Sequence, residues 1–281
     1  MKVTLTMILT ANEITQQLQI NHDRKKLFVF DLDGTIIYNG NRLEHGFESV
    51  LCEIVAAGHD LYFATGRSYR DYRPMLPKWC HDLPAVVFGG GMVVNKNQVV
   101  HQRFLQSEKL AELVQFLEDH HVCYLIDGRN EYYHSVTESW ILTDIIRISG
   151  QHPSHSLDNI LADGAYKILI LDSEWKNYCE RFALEHDWEL KFHSYNQCFD
   201  LMPKNVNKYD GLQYLDLPNS EDVFIFGNDH NDLELMQNFE HNILFGECHE
   251  LLSLAKVRIA YDEDLLANFE QVVNCILNKY S

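Results

Sequence analysis

The sequence predicts an α/β protein: a doubly wound, Rossmann-like parallel sheet with a second α+β module inserted into it. Three observations lead there. Short, continuously apolar runs such as Lys26–Phe30 (KLFVF) and Val223–Phe226 suit strands buried on both faces. Amphipathic helical spacing separates such runs by short connections, the grammar of βαβ units. Each buried run also stops abruptly at Asp, Asn, Thr or Gly, the residues expected at the carboxyl edge where open α/β sheets bind ligands.

Taken in order, Lys26–Phe30 is the first strand. From His45 to Ala57, Phe47, Val50, Leu51, Ile54 and Val55 recur with helical spacing, and Gly58 follows as a C-cap. Leu61–Ala64 and Ala85–Phe88 are the next strands. The pattern then changes over roughly residues 90–200. A helix (Glu108–Asp119) is expected before short strands at Cys123–Ile126 and Tyr132–Val136. A helix (Ser139–Ile148), a strand (Tyr166–Leu171) and a helix (Glu174–His186) come next, then strands at Leu190–His193 and Phe199–Met202. Ser149–Gly164 reads as a surface loop. The first grammar resumes with Val223–Phe226, a short helix Asp232–Phe239, a strand Ile243–Phe245 and an amphipathic helix Leu265–Leu277. The expected division is an N-terminal extension (1–25), a core (26–88 and 204–281) and an inserted module (89–203).

Composition narrows the function. The 281 residues carry 23 Lys+Arg against 41 Asp+Glu, a formal charge of −18, which argues against nucleic acid and against an anionic membrane as partners. No run approaches the roughly 18 apolar residues of a membrane-spanning helix. The apolar run Val3–Ala11 is interrupted by threonines and preceded only by Lys2, so it reads as an ordered or frayed extension and not as a secretory signal. Seven cysteines, none in a CxxC pair, fit neither zinc nor a disulfide framework, and a reducing cytoplasm is expected. Of the fifteen histidines, His120, His121, His152 and His155 are expected in solvated or capping roles.

Four polar clusters carry the chemistry. Asp31-Leu32-Asp33-Gly34-Thr35 follows the first strand directly, and residues i and i+2 of an extended chain project to one side, so Asp31 and Asp33 converge at its end. Two neighbouring carboxylates repel, so each needs a cation or a proton; one can attack while the other, protonated, serves a leaving group. Thr65-Gly66-Arg67 follows the second strand, placing a hydroxyl and a backbone N–H where phosphate oxygens could be held. Lys208 opens a helix after Asn207 as N-cap, a position that favours anions. Gly227-Asn228-Asp229-His230-Asn231-Asp232 closes the strand Val223–Phe226 with oxygen donors of the kind Mg²⁺ selects. Any one of these clusters alone could be a capped turn or an exposed lysine. All four in order, each at a strand edge or helix start, form a site.

These motifs resemble the haloacid dehalogenase superfamily, and their order, with the insert between the second and third, most resembles its Cof-type (subfamily IIB) phosphatases with a C2-type cap. The resemblance covers the chain from about Lys26 onward. It implies that Asp31 is a nucleophile giving an aspartyl-phosphate, and that Asp33 is the acid for the leaving oxygen and then the base for water. Thr65, Gly66, Lys208 and Asn231 would hold the phosphoryl group. Mg²⁺ would sit with Asp31, the Asp33 backbone carbonyl, Asn228 and Asp232. One departure stands out: the fourth motif usually begins Gly-Asp, and here the residue is Asn228, which brings an amide oxygen but no charge.

Gly89-Gly90-Gly91, where the insert begins, is expected as a hinge for a module that covers the site and chooses the substrate. Tyr132, Tyr133, Trp140, Tyr195 and Arg129 are candidates for that choice, with core packing the commoner fate of such aromatics. The expected function is a Mg²⁺-dependent phosphatase of a small phosphorylated metabolite, plausibly a sugar phosphate. A phosphate-binding regulatory protein with an attenuated site and a phosphosugar mutase stay open as alternatives. The sequence does not fix the oligomeric state.

Overall fold

The computed structural model describes residues 9–38, 40, 42–136, 139–154, 156–193 and 197–279. The chain begins with α1 (Ala11–Leu18), β1 (Leu27–Phe30), α2 (His45–Ala56), β2 (Asp60–Ala64), α3 (Tyr69–Met75) and β3 (Ala85–Val87). A hairpin of β4 (Met92–Asn95) and β5 (Gln98–Gln102) follows. The middle of the chain supplies α4 (Ser107–Asp119), β6 (Tyr124–Asp127), β7 (Tyr132–His134), α5 (Trp140–Ser149) and α6 (Leu157–Asp163). Then come β8 (Lys167–Ile170), α7 (Lys176–Glu185), β9 (Trp188–His193) and β10 (Cys198–Pro203). The chain ends with α8 (Lys208–Leu212), β11 (Val223–Gly227), α9 (Leu233–Asn238), β12 (His241–Phe245), β13 (Val257–Ile259) and α10 (Leu265–Ile276).

Eight strands form one sheet in the order β13-β12-β11-β1-β2-β3-β4-β5. From β13 to β3 all pairs are parallel; β4 and β5 add an antiparallel edge. Because side chains alternate along a strand, β1 feeds both layers. Phe28 and Phe30 pack with α1, α2 and α10, whereas Leu27 and Val29 pack with α8 and α9. Phe30 and Phe226 stack at 4.4 Å across β1 and β11, with the edge of Phe269 from α10 against them. This is the doubly wound arrangement that the buried runs predict, and it places the ends of β1, β2 and β11 side by side.

Five strands form a second, antiparallel sheet in the order β7-β6-β8-β10-β9. One face packs on α4 and α7 through Leu113, Phe182, Tyr124, Ile168 and Phe199. The other face carries Leu125, Leu169 and Cys198 under α5. Beside them it exposes Asp127, Lys167 and Asp200 to a cavity.

Three local expectations change. Residues 92–102 extend the large sheet, so the change of sheet comes later than residue 89; Lys96 and Asn97 both adopt positive φ and close a two-residue hairpin that periodicity alone does not reveal. The span 149–164 is not all loop, since α6 buries Ile160. Residues 11–18 form a helix with a Thr10–Glu13 capping box that buries Ile14 and Leu18 beside α10. Residues 3–8 and Tyr195 lie outside the described residues. Among the described residues no helix is long and apolar enough to cross a membrane.

Candidate active site

Asp31 continues the β1 ladder by one residue, its N–H donating to the Phe226 carbonyl at 2.9 Å. It is buried, and its two oxygens face different partners. Lys208 Nζ donates to Oδ1 at 2.6 Å, and Thr35 Oγ1 to Oδ2 at 3.2 Å. Thr35 Oγ1 also lies 3.4 Å from Asn228 Oδ1, so the Asp31 and Asn228 oxygens share one corner.

Lys208 is buried at the first position of α8, where the Asn207 side chain caps the Asp210 N–H. The helix can approach this closely because Gly90, at φ +117°, lacks a Cβ, which would lie 2.2 Å from the Asn207 carbonyl oxygen. The triplet expected as a hinge therefore has a packing reason at Gly90. An ammonium has three hydrogens, and Lys208 directs them to Asp31, to Asn231 Oδ1 (2.8 Å) and to Asp232 Oδ1 (2.7 Å). Burial acts to lower the Lys208 pKa, but Asp232 and Asp31 outweigh it and hold the ammonium charged. For Asp31 the balance runs the other way. Burial, with Asp232 beside it, raises its pKa to about 7 against the opposing pull of Lys208.

Asp232, expected from the sequence as a metal ligand, has both carboxylate oxygens engaged by the protein. It is fully buried, Oδ1 accepts from Lys208, and Oδ2 accepts from the backbone N–H of Asn228 at 2.9 Å and of Asp229 at 3.3 Å. Its carboxylate is used to hold the lysine and shape the loop. Asn231 accepts from Lys208 through Oδ1, which leaves its amide nitrogen, turned toward Gly66, as a donor. Thr65 is buried and accepts the Arg67 N–H at 3.1 Å, leaving its own hydrogen to give. Thus Thr65, Gly66, Lys208, Asn231 and Asp31 do converge.

Asp33 stands slightly apart, its side chain 43% exposed, and Arg67 grips it bidentately at 2.5 and 2.7 Å. Sequence reasoning quoted Arg67 within its motif but gave it no role; the signal was a guanidinium two residues after a strand edge next to a carboxylate pair. A second omission is the buried Arg70 of α3, which holds Asp71 and reaches Asp127 of β6 at 2.9 Å under the Tyr132 ring. Among the described residues it makes the ion pair that joins the two sheets' elements.

The site opens into a cavity of about 790 Å³ between the sheets. The large sheet contributes Asp31, Asp33, Thr65, Asn228 and Asn231; the smaller contributes Asp127, Lys167 and Asp200, with Trp140 and Ile145 of α5 as an apolar wall. Lys167 and Asp200 pair at 3.1 Å. Of the cap-module candidates, Trp140 lines this cavity, Tyr132 is fully buried, Tyr133 packs in the module's core and Arg129 lies over the Tyr69 ring. Among the described residues no three His, Cys, Asp or Glu side chains gather as a metal cluster.

The sequence pattern of haloacid dehalogenase-like hydrolases matches residues 28–264. The chain belongs to this family. It is accordingly a hydrolase-class enzyme. One curated relative, "Putative phosphatase YkrA" of Bacillus subtilis (strain 168), is 24% identical over 255 residues, 86% of this chain and 95% of that one. Solved structures share the fold. A haloacid dehalogenase-like hydrolase from Bacteroides thetaiotaomicron superposes with a TM-score of 0.75 at 18% identity, covering 88% of this chain and 99% of the other. The subclass IIB sugar phosphatase BT4131 superposes at 0.70 with 15% identity, over 90% of this chain and all (100%) of the other.

Proposed function

We propose that the protein is a Mg²⁺-dependent phosphatase of a small phosphorylated metabolite, with a sugar phosphate as the first class to test. The observation that carries this reading is the convergence of Asp31, Lys208, Asn231 and Thr65 at the ends of β1, β2 and β11. The family's phosphatase names and the sugar phosphatase among its fold relatives point the same way.

The site fits a hard dication. One buried ammonium faces two buried carboxylates, so negative charge is in excess; burial, with Asp232 beside it, raises the Asp31 pKa. The oxygen donors next to that excess are the Asp31 carboxylate and the Asn228 amide, with the Asp33 carbonyl implied by the family. A bound Mg²⁺ would neutralise this charge and that of the phosphoryl oxygens.

In the first step an Asp31 carboxylate oxygen attacks phosphorus, and the bond from phosphorus to the substrate oxygen breaks as Asp33, protonated, gives its proton to that oxygen. In the second, Asp33 as carboxylate takes a proton from water. The hydroxide oxygen attacks phosphorus, releasing inorganic phosphate and returning the Asp31 carboxylate. Thr65 and Asn231 have donors free for the phosphoryl oxygens, and Lys208 favours the ionised form of Asp31 and orients it. Arg67, bound to both Asp33 oxygens, holds that side chain in place at the mouth of the site. The five-stranded module acts as the cap, excluding water from the cavity. All seven cysteines are free, in keeping with a reducing cytoplasm.

Purified protein should hydrolyse p-nitrophenyl phosphate only with Mg²⁺, and Asp31→Asn should abolish it; Mg²⁺-dependent turnover that survives would remove Asp31 as nucleophile. A panel of sugar, nucleotide and cofactor phosphates then identifies the substrate. The neutral Asn228 favours one second reading, a phosphate-binding protein with little turnover, which phosphate-analogue binding without hydrolysis across that panel would establish.

A further inference from the structure

Asn228 stands where the family carries an acidic metal ligand, and its environment treats the two ends of its amide differently. The oxygen shares the Thr35 hydroxyl with Asp31 Oδ2. The nitrogen is turned to Gly34, so close that a Cβ at that glycine would lie 2.1 Å from it. Beside it stands Tyr261, whose hydroxyl donates to the Gly34 carbonyl at 2.5 Å and lies by the same point at Gly34 as the Asn228 amide nitrogen, 3.3 Å from where a Cβ would be. The Tyr261 side chain, half exposed, has neighbours on two sides. It lies against Gly246, where a Cβ would come within 2.4 Å of it, and it meets the Tyr38 ring edge-on at 5.9 Å.

A phenol has one hydrogen. Since Gly34 takes it, the Tyr261 oxygen can only accept from Asn228, and only the amide nitrogen can give. We propose that Tyr261 is a positioning residue that locks the Asn228 amide with its oxygen toward Asp31, letting a neutral side chain serve where the family uses a charged one. The proposal rests on reading that corner as the cation site. An amide has a single oxygen, so one flip would turn an NH₂ group toward the cation. A carboxylate presents oxygen either way and needs no such lock.

That asymmetry gives the test. Mg²⁺ binding is measured calorimetrically on the full chain without substrate, for the natural sequence, Tyr261→Phe, Asn228→Asp and the double variant. Tyr261→Phe should weaken Mg²⁺ binding about threefold to tenfold beside Asn228, the worth of one hydrogen bond, but less than about twofold beside Asn228→Asp. Asn228→Asp alone should bind more tightly, because it adds charge. Equal weakening in both backgrounds, or none beside Asn228, overturns the role of Tyr261 while the cation site stands. No Mg²⁺ binding by either the natural chain or Asn228→Asp overturns the cation site and the proposal together. Should Tyr261→Phe not fold, the Asn228 Nδ2 hydrogens of the natural chain provide the readout by NMR: slowed solvent exchange supports the lock, and free exchange overturns it.

Discussion

Two buried lysines sit at opposite ends of β1, and their surroundings differ in one respect. Below the strand, Lys26 is 1% exposed and its Nζ meets Asp222 at 2.7 Å, with Arg24 reaching both that carboxylate's outer oxygen and Glu221, two cations for two anions. Above it, Lys208 is equally buried but faces two carboxylates, Asp31 and Asp232. At the amino end cation and anion match, which is what stability requires of a buried pair. At the carboxyl end one negative charge is left over, and a site built to receive a cation and a phosphoryl group needs that excess. The same residue types serve the fold at one end and chemistry at the other, and only the count separates them.

The largest effect that would break this contrast is on turnover: Asp31→Asn should lower kcat about 10⁴-fold or more, measured on the best substrate of the panel. The same Asp-to-Asn change should have opposite signs of stability at the two ends. Asp222→Asn leaves the Lys26 ammonium buried without its carboxylate and should cost about 3–5 kcal/mol in denaturant unfolding. Asp31→Asn should instead raise the melting temperature in metal-free buffer. The folded Asp31 pKa is about 7 against an ordinary 3.8, so the natural chain loses stability as pH rises between those values, and the variant escapes that loss. Equal destabilisation by both variants would contradict the charge-excess account.

Smaller effects sharpen it. Gly90→Ala would force a Cβ into the Asn207 backbone and should destabilise by about 2 kcal/mol or more while reducing activity, because it pushes Lys208 away. Gly89→Ala, with open space around it, should cost only about 1 kcal/mol for its positive φ. The smallest effect is at His241, which stacks on Phe224 near the Lys26 end and hydrogen-bonds the Glu221 carbonyl. Burial, aided by Lys256 and Lys26 against Glu240 and Asp222, lowers its pKa below the ordinary 6.5. The unfolded chain therefore takes up a proton that the folded chain refuses, and stability should fall as pH drops below about 6.5. His241→Gln should flatten that acid limb in pH-dependent melting.

Much of this was legible in the residues. KLFVF and VFIF announced strands buried on both sides, and their Asp-rich and Asn-rich ends marked one edge, because alternation and burial are local properties. What the sequence hid depends on partners far along the chain. Gly90 reads as a hinge until Asn207 is seen against it, and nothing in the Asn-Asp motif says that the Asp232 oxygens will meet Lys208 and two backbone N–H groups. The β4–β5 hairpin was missed because its turn is Lys-Asn at positive φ, without the glycine that usually announces one. Arg70 went unnoticed because nothing in Arg-Asp on a helix says that a second carboxylate, Asp127, will arrive from the other sheet.

The most direct measurement is chemical capture of the intermediate. Protein quenched in acid during turnover is reduced with borohydride, which converts an aspartyl-phosphate to homoserine, and the modified residue is located by mass spectrometry. Reduction at position 31, absent without substrate, is the result expected here. Turnover with no reduced residue, or reduction at another aspartate, would contradict it.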